Sequence, residues 1–147
     1  MLEQIPNGEP EDLVMLCACF NIRMIARLIT AQYTEALAPS NLTPTQFSTL
    51  LALQTGGEMP ITQLTAILVT DRTTLARNLK PLERDGLVEV TPGEHDKRVR
   101  QVAISAAGRQ ALATALPHWK QAQKDLQELA GEELWVALHR VAHRLHP

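Results

Sequence analysis

The sequence predicts a mainly α-helical chain with one small β-hairpin, an α+β fold. Apolar residues recur every three or four positions through most of the chain, which is the period of a helix with one buried face. Two short β-rich runs, residues 87–90 and 99–104, flank a segment rich in turn-forming residues, which is the pattern of a hairpin. Two short helical patterns meet at Val69 and Thr70, which predicts two helices joined by a tight turn.

The composition is that of a single globular domain. Of the 147 residues, 45% are hydrophobic and 20% are charged, which is enough apolar material for a core. Aromatic residues make up only 3%, which disfavours RNA and single-strand binding, where bases stack on aromatic rings. No apolar run reaches membrane-spanning length, and the first ten residues lack the features of a signal peptide. We therefore expect a cytoplasmic protein with no membrane partner and no cofactor.

Local signals predict the first helices. Residues 11–38 form a long amphipathic pattern that is stopped by a proline. Thr43 and Gln46 have the spacing of a capping box for the helix that follows. Thr62 is expected to cap the next, shorter helix. The apolar positions of that shorter helix that should face inward are Leu64, Ile67 and Leu68.

The helix after Val69 and Thr70 is basic on one face. Helical spacing places Leu75, Leu79 and Leu82 on a buried stripe. With the helix before it, this element forms a helix-turn-helix, a motif whose second helix enters the major groove of DNA. Because proline lacks an amide donor, we expect a kink at Pro81 and a bend at Pro117, in the long helix near the C-terminus. The side chains that face outward on the basic helix are Arg72, Thr73, Arg77 and Lys80.

A hairpin and two further helices complete the chain. Gly86 stands where the basic helix needs a left-handed cap. Residues 87–90 and 99–104 are expected to pair around a turn at 91–96, forming a β-wing. Ser105 is expected to cap a helix that continues to about residue 130, and Gly131 precedes the last helix.

Charge is concentrated in the same region. Residues 71–109 contain eight Lys and Arg against six Asp and Glu, whereas the rest of the chain contains six against ten. The first segment therefore has a net charge of +2 and the remainder −4, although the whole chain is at −2. A basic face on a mildly acidic body suits a protein that binds phosphates with one surface only.

The order and spacing of these motifs over residues 42–112 resemble the winged helix-turn-helix of the MarR family of bacterial transcriptional regulators. The resemblance implies a single domain, residues 1–147, in which residues 42–105 bind DNA and residues 11–38 and 106–147 form a helical dimerisation region. The residues that carry it are Asp71-Arg72, Arg77, Leu82-Glu83-Arg84-Asp85-Gly86-Leu87-Val88, Asp96-Lys97-Arg98 and Ile104-Ser105-Ala106-Ala107-Gly108.

The same resemblance implies a function. A homodimer would bind double-stranded DNA at a palindromic operator, with half-sites about 10 bp apart. Many members are repressors that are released by a small-molecule effector or by thiol oxidation. The expected DNA contacts are Arg72, Thr73, Thr74, Arg77 and Lys80 on the recognition helix and Asp96, Lys97, Arg98 and Arg100 in the wing.

The chemistry of these residues fits those contacts. Arg72 and Arg77 lie about 140° apart around the helix, so one can contact a base while the other holds a phosphate. Arg98, at the hairpin tip, suits a narrow minor groove, where negative potential is concentrated. Asp96 can accept hydrogen bonds from that guanidinium or from the amides of the turn. The alternative readings are a solvated helix face and a plain surface ion pair.

Cys17 and Cys19 are the only cysteines. On a continuous helix their side chains would point about 200° apart, which is a poor geometry for a disulfide. Each is a candidate redox sensor if a cation or a helix N-terminus activates its thiol. Buried cysteines that act as small hydrophobes are the commoner case, and two cysteines alone are an incomplete metal site.

Two further sets of residues are candidates for ligand binding. Helical spacing allows a metal site at His139, His143 and His146, but a terminal helix usually carries such residues as a solvated stripe, so we expect no metal site. An effector is expected between the dimerisation helices and the DNA-binding region. The apolar residues that are candidates to line that pocket are Met15, Phe20, Met24, Phe47 and Leu51, for which core packing is the alternative.

Two other functional classes stay open. A winged helix can serve as a protein-interaction module without specific DNA binding. A thiol-dependent redox enzyme would use Cys17 or Cys19, but no catalytic triad, phosphate loop or paired-carboxylate motif accompanies them. Catalysis would also leave the basic helix and the wing unexplained, so we expect a protein that is not an enzyme.

Overall fold

The computed structural model describes residues 14, 16–93 and 96–145. It shows the mainly helical α+β fold that the sequence predicts. The helices are α1 (Ala18–Leu37), α2 (Pro44–Gly56), α3 (Ile61–Ile67), α4 (Arg72–Arg84) and α5 (Ala106–Leu145), with a short 3-10 turn at Ala38–Ser40; the strands are β1 (Met59–Pro60), β2 (Val88–Pro92) and β3 (Arg100–Ile104).

The strands form one antiparallel sheet in the order β1-β3-β2. Val88 pairs with Ile104 in the hairpin, and Met59 pairs with Val102 on the other side of β3. Strand β1 was not predicted, because two residues carry no periodic signal. The predicted hairpin is confirmed, but its turn begins two residues later than expected, since β2 extends through Pro92, a residue that an edge strand tolerates.

The core lies where α2 to α5 meet the sheet. The three leucines predicted on α4 are buried, and the ring of Phe47 stacks on that of Trp119 with 5.8 Å between the centroids. Helices α1 and α5 are linked by the Tyr33 hydroxyl, which donates to Oε1 of Gln123. Burial raises the pKa of Tyr33. The buried core comprises Leu37, Leu42, Phe47, Leu50, Leu53, Met59, Leu64, Leu75, Leu79, Leu82, Val88, Val102, Leu112 and Ala115.

The predicted helix over residues 11–38 is not continuous. The backbone of Cys17 is extended, with φ −72° and ψ 106°, and α1 begins after it at Ala18. Val14 and Leu16 are helical on the other side of this break. The apolar period alone did not reveal the break, because apolar positions on both sides keep the same spacing. Residues 11–13 and 15 lie outside the described part of the chain.

The start of α2 follows the prediction, but that of α3 does not. The amide of Gln46 donates to the Thr43 hydroxyl at 3.2 Å and the Thr43 amide donates to Oε1 of Gln46 at 2.9 Å, a complete capping box. Thr62 does not cap α3, because the chain leaves β1 at Pro60 and turns helical two residues earlier than expected. Leu64 is buried as predicted, whereas Ile67 is 48% exposed and does not face inward.

The prolines do not interrupt the helices. Helix α4 continues through Pro81 to Arg84, where buried leucines on both sides hold it in place. Helix α5 likewise continues through Pro117, and its backbone leaves helical geometry at Gly131, with φ 74° and ψ 169°, where the sequence predicts the boundary before the last helix. Glycine adopts this conformation without the steric cost that a Cβ imposes. The described part of the chain contains no helix long and apolar enough to cross a bilayer.

Candidate nucleic-acid interface

Helices α3 and α4 form a helix-turn-helix around a left-handed residue. Val69 has φ 48°, and the Thr70 amide donates back to the Thr65 carbonyl at 3.0 Å. This turn lets Leu64 of α3 and Leu75 of α4 enter the same core, both with no exposed surface. The turn therefore fixes which face of α4 is buried and which is left outside.

The outer face of α4 presents a basic groove. Since Leu75, Leu79 and Leu82 are buried, the opposite face of α4, which includes Arg72, Ala76 and Arg77, is exposed to solvent. Ala76 also lines this groove and was not predicted, because a single alanine carries no charge or motif. Its spacing of four residues from Arg72 was the available signal. The residues that line the groove are Arg72, Thr73, Ala76, Arg77 and Lys80.

Thr74 does not belong to this groove. Its side chain is half-buried, and its hydroxyl donates to Oδ2 of Asp71 at 2.6 Å. Its amide donates to Oδ1 of the same carboxylate at 2.9 Å, which makes Asp71 the N-cap of α4. These bonds, the hydroxyl bond first, lower the pKa of Asp71. Of the five predicted DNA contacts on α4, the structure thus gathers four and separates Thr74.

The wing tip is held by Asp96. Its Oδ1 accepts the amide of Arg98 at 2.9 Å and its carbonyl accepts the amide of Val99 at 3.0 Å. The carboxylate therefore binds a turn amide, one of the two partners that the sequence suggested. Lys97 and Arg98 are exposed at the tip. Arg100 lies further back, where its guanidinium donates to the Val90 carbonyl at 3.5 Å.

The candidate sensor and pocket residues have different surroundings. Cys17 and Cys19 are free and exposed, and Cys17 is outside the helix. The argument from helical spacing against a disulfide therefore does not apply. Phe47 is buried in the core, whereas Phe20 and Met24 are 45% and 41% exposed on α1. Leu51 is half-buried beside the core, and Met15 lies outside the described residues.

The histidines of α5 show no metal-site geometry. His139 is exposed, and its Nδ1 lies 2.8 Å from the carbonyl oxygen of Trp135. Within residues 14, 16–93 and 96–145, no three His, Cys, Asp or Glu side chains are placed to hold a metal ion. His146 lies outside those ranges.

Comparison with known proteins identifies the family. A family model described as "MarR family" matches residues 40–99. The chain is also 30% identical over 131 residues to the transcriptional activatory protein BadR of Rhodopseudomonas palustris, a match that covers 86% of this chain and 71% of BadR. This chain belongs to the MarR family. The family assignment accounts for the winged helix-turn-helix and confirms the resemblance seen in the sequence.

Two other similar proteins are also transcriptional regulators. The MarR-type chain described here is 38% identical to M. tuberculosis MosR in a crystal structure with DNA, with a TM-score of 0.79 and coverage of 88% of this chain and 93% of MosR. It is 28% identical over 135 residues to the organic hydroperoxide resistance transcriptional regulator of Bacillus subtilis. That match covers 87% of this chain and 88% of the Bacillus protein. As a MarR family member, this chain is a winged-helix transcriptional regulator.

Proposed function

We propose that this chain is a homodimeric repressor that binds a palindromic operator in double-stranded DNA. The observation that carries the proposal is the exposed groove on α4, in which four polar or basic side chains surround Ala76. A groove of this composition matches the two things that a major groove offers, phosphates at its rims and base edges at its floor. MosR, a relative with this fold, has been crystallised with DNA.

Within the groove the side chains have different tasks. Arg72 and Thr73 stand at the N-terminal end of α4, the part of a recognition helix that contacts bases. Ala76 is small enough to let the helix approach and to contact a thymine methyl group. Arg77 and Lys80 lie one to two turns further on and supply base or phosphate contacts. Thr74 stabilises the start of the helix through Asp71 instead.

The wing supplies the second contact with the duplex. Lys97 and Arg98 extend from a tip that the Asp96 hydrogen bond orders before DNA arrives. A preordered tip loses less conformational entropy when it binds. We assign Arg98 to the minor groove beside each half-site, with Lys97 and Arg100 as phosphate contacts.

A second copy of the chain accounts for the exposed apolar faces of α1 and of α5 after Gly131. Apolar surface of this extent marks a protein interface. A two-fold dimer places two copies of α4 on one face of the duplex, so that the operator becomes palindromic. The apolar side chains in question are Phe20, Ile22, Met24, Ile25, Leu28, Val136, Leu138, Val141 and Leu145, between 41% and 81% exposed.

Release of the repressor is assigned to an effector or to thiol oxidation. An effector bound between the dimer helices and the DNA-binding region would change the separation of the two copies of α4. Of the described candidates for that pocket, Phe20, Met24 and Leu51 keep exposed surface, whereas Phe47 is buried in the core. Cys17 and Cys19 are exposed, which an oxidant-sensing thiol requires, and one relative is named for organic hydroperoxide resistance.

The test is selection of bound sequences from a pool of random duplex DNA at fixed salt, with and without peroxide. An enriched palindrome supports the dimeric DNA-binding protein, and loss of binding under peroxide supports thiol control. Binding without enrichment overturns sequence specificity, and no binding favours a protein-interaction module. Because BadR is named as an activator, a reporter placed behind the selected operator then tests repression, which requires higher expression when the protein is absent.

A further inference from the structure

Ser105 joins the end of the recognition helix to the start of the longest helix. Its hydroxyl donates to the Gly86 carbonyl at 2.6 Å and accepts the amide of Gly108 at 3.0 Å. Its own amide donates to the Leu87 carbonyl at 3.1 Å. Ser105 is 9% exposed, so these bonds are shielded from water. One small side chain thus connects segments that are 19 residues apart in the sequence.

Close packing at Gly108 seals this junction. A Cβ placed at Gly108 would lie 2.0 Å from the Leu87 carbonyl oxygen and 2.9 Å from Cγ1 of Ile104. The first turn of α5 therefore lies directly against the chain that leaves α4. Only glycine permits this approach, because any larger residue would force the two backbones apart.

A backbone hydrogen bond also connects this junction to α4. The Leu87 amide donates to the Leu82 carbonyl at 2.8 Å, which ties the junction to the last turn of α4. Gly86, with φ 69°, makes the reversal that this bond requires. A short series of hydrogen bonds therefore connects the start of α5 to the last turn of α4.

A simple helix cap does not explain the whole arrangement. Capping α5 requires only that the Ser105 oxygen accept the Gly108 amide. The bond that it donates to Gly86 adds nothing to that cap, because it leads to a different element. That bond is what makes Ser105 a bridge between α4 and α5.

We propose that Ser105 is a positioning residue that fixes the angle between α4 and α5 and thereby sets the half-site spacing that the dimer accepts. The proposal rests on the proposed function, in which α5 contributes to the dimer and α4 contacts DNA. One added base pair rotates a half-site by about 35° around the duplex. A rigid junction makes the protein sensitive to that rotation, and a loose junction makes it tolerant.

The experiment measures affinity for the selected operator and for versions with one base pair inserted or deleted at its centre. The variants are Ser105→Ala and Ser105→Gly, which both lack the hydroxyl, and Ser105→Thr, which keeps it. Glycine is nearly as good an N-cap as serine, so Ser105→Gly tests the bridge if the alanine variant does not fold. Thr114→Ala is the matched control, since its hydroxyl only donates to the Gln110 carbonyl within α5.

The expected result is a change in the spacing profile. Insertion or deletion of one base pair should lower the affinity of wild type, Ser105→Thr and Thr114→Ala tenfold or more relative to the selected operator. The same change should lower the affinity of Ser105→Ala and Ser105→Gly threefold or less. If Ser105→Ala and Ser105→Gly both keep the wild-type spacing profile, whatever their Tm, Ser105 is only a cap and the proposal is overturned. If wild type itself selects no operator, the proposed function fails first, and the positioning role fails with it.

Discussion

The Asp71 carboxylate holds Thr74 at two points, its amide at 2.9 Å and its hydroxyl at 2.6 Å. This pair begins the recognition helix and sets the path of its first turn, which carries Arg72 and Thr73. It also removes the Thr74 hydroxyl from the set available to DNA. Order at the N-terminus of α4 therefore depends on an ionised carboxylate in the DNA-facing region.

The Asp71 cap predicts a pH-dependent stability difference. Its lowered pKa means that its contribution is fully present above the ordinary carboxyl value, about 4, and is lost as the pH falls through the folded value. Asp71→Ala should therefore have a lower Tm than wild type at pH 6, and the difference in Tm between the two proteins should become smaller below pH 4. Thermal unfolding of both proteins between pH 2.5 and 7 measures this. A gap that is constant with pH would contradict a role for the ionised form.

Arg77→Ala is expected to weaken operator binding by about tenfold or more, because a good arginine contact to a base is worth ~1–3 kcal/mol. Titrations at several salt concentrations distinguish its two assignments. A base contact relaxes specificity at one operator position, whereas a phosphate contact lowers affinity for all sequences and reduces the salt slope by about 1. Lys124→Ala, a change of equal charge on α5, is the control. Unchanged affinity would remove Arg77 from the interface.

Arg98→Ala tests the wing. We expect weaker binding and, more specifically, loss of the preference for A·T pairs beside each half-site, where the minor groove is narrow. Operators with A·T and G·C flanks should bind wild type differently and the variant almost equally. Asp96→Ala should show a smaller effect of the same kind, since the tip is then less ordered. A variant that retains the full flank preference would refute minor-groove insertion.

Leu28→Glu tests the dimer. Leu28 is 64% exposed on α1, so a charge there costs the isolated protomer little but is buried when two copies meet. Sedimentation at micromolar concentration should show wild type as a dimer and the variant as a monomer with the same circular dichroism. DNA affinity should fall when dimerisation is lost, because in the proposed complex each protomer contacts one half-site. A dimeric Leu28→Glu would place the interface elsewhere.

Val69→Gly is expected to raise the free energy of unfolding by about 1 kcal/mol. A β-branched residue at φ 48° is strained, and glycine relieves that strain at a smaller cost in chain entropy. Val69 is 72% exposed, so its side chain contributes little packing. Urea unfolding measures the change. A destabilised glycine variant would mean that the turn depends on the valine side chain.

Short-range signals in the sequence correctly predicted several local features. The capping box at Thr43, the left-handed Gly86, the leucine stripe of α4 and the Ser105 cap all depend on residues within four positions of one another. At that range, propensity and hydrogen-bonding chemistry leave few alternatives. The family resemblance rested on the order and spacing of such short motifs between residues 71 and 108.

Tertiary structure alone decided the rest. Strand β1 forms because Met59 and Pro60 pair with β3, and two residues are too few to predict such a pairing from a sequence pattern. Cys17 is extended although the apolar positions on both sides of it keep helical spacing. The approach of Gly108 to Leu87 links distant parts of the chain. By itself the sequence determined the elements and their chemistry, because these are local, whereas the folded chain decided their registers, breaks and junctions, because these depend on contacts between residues far apart in sequence.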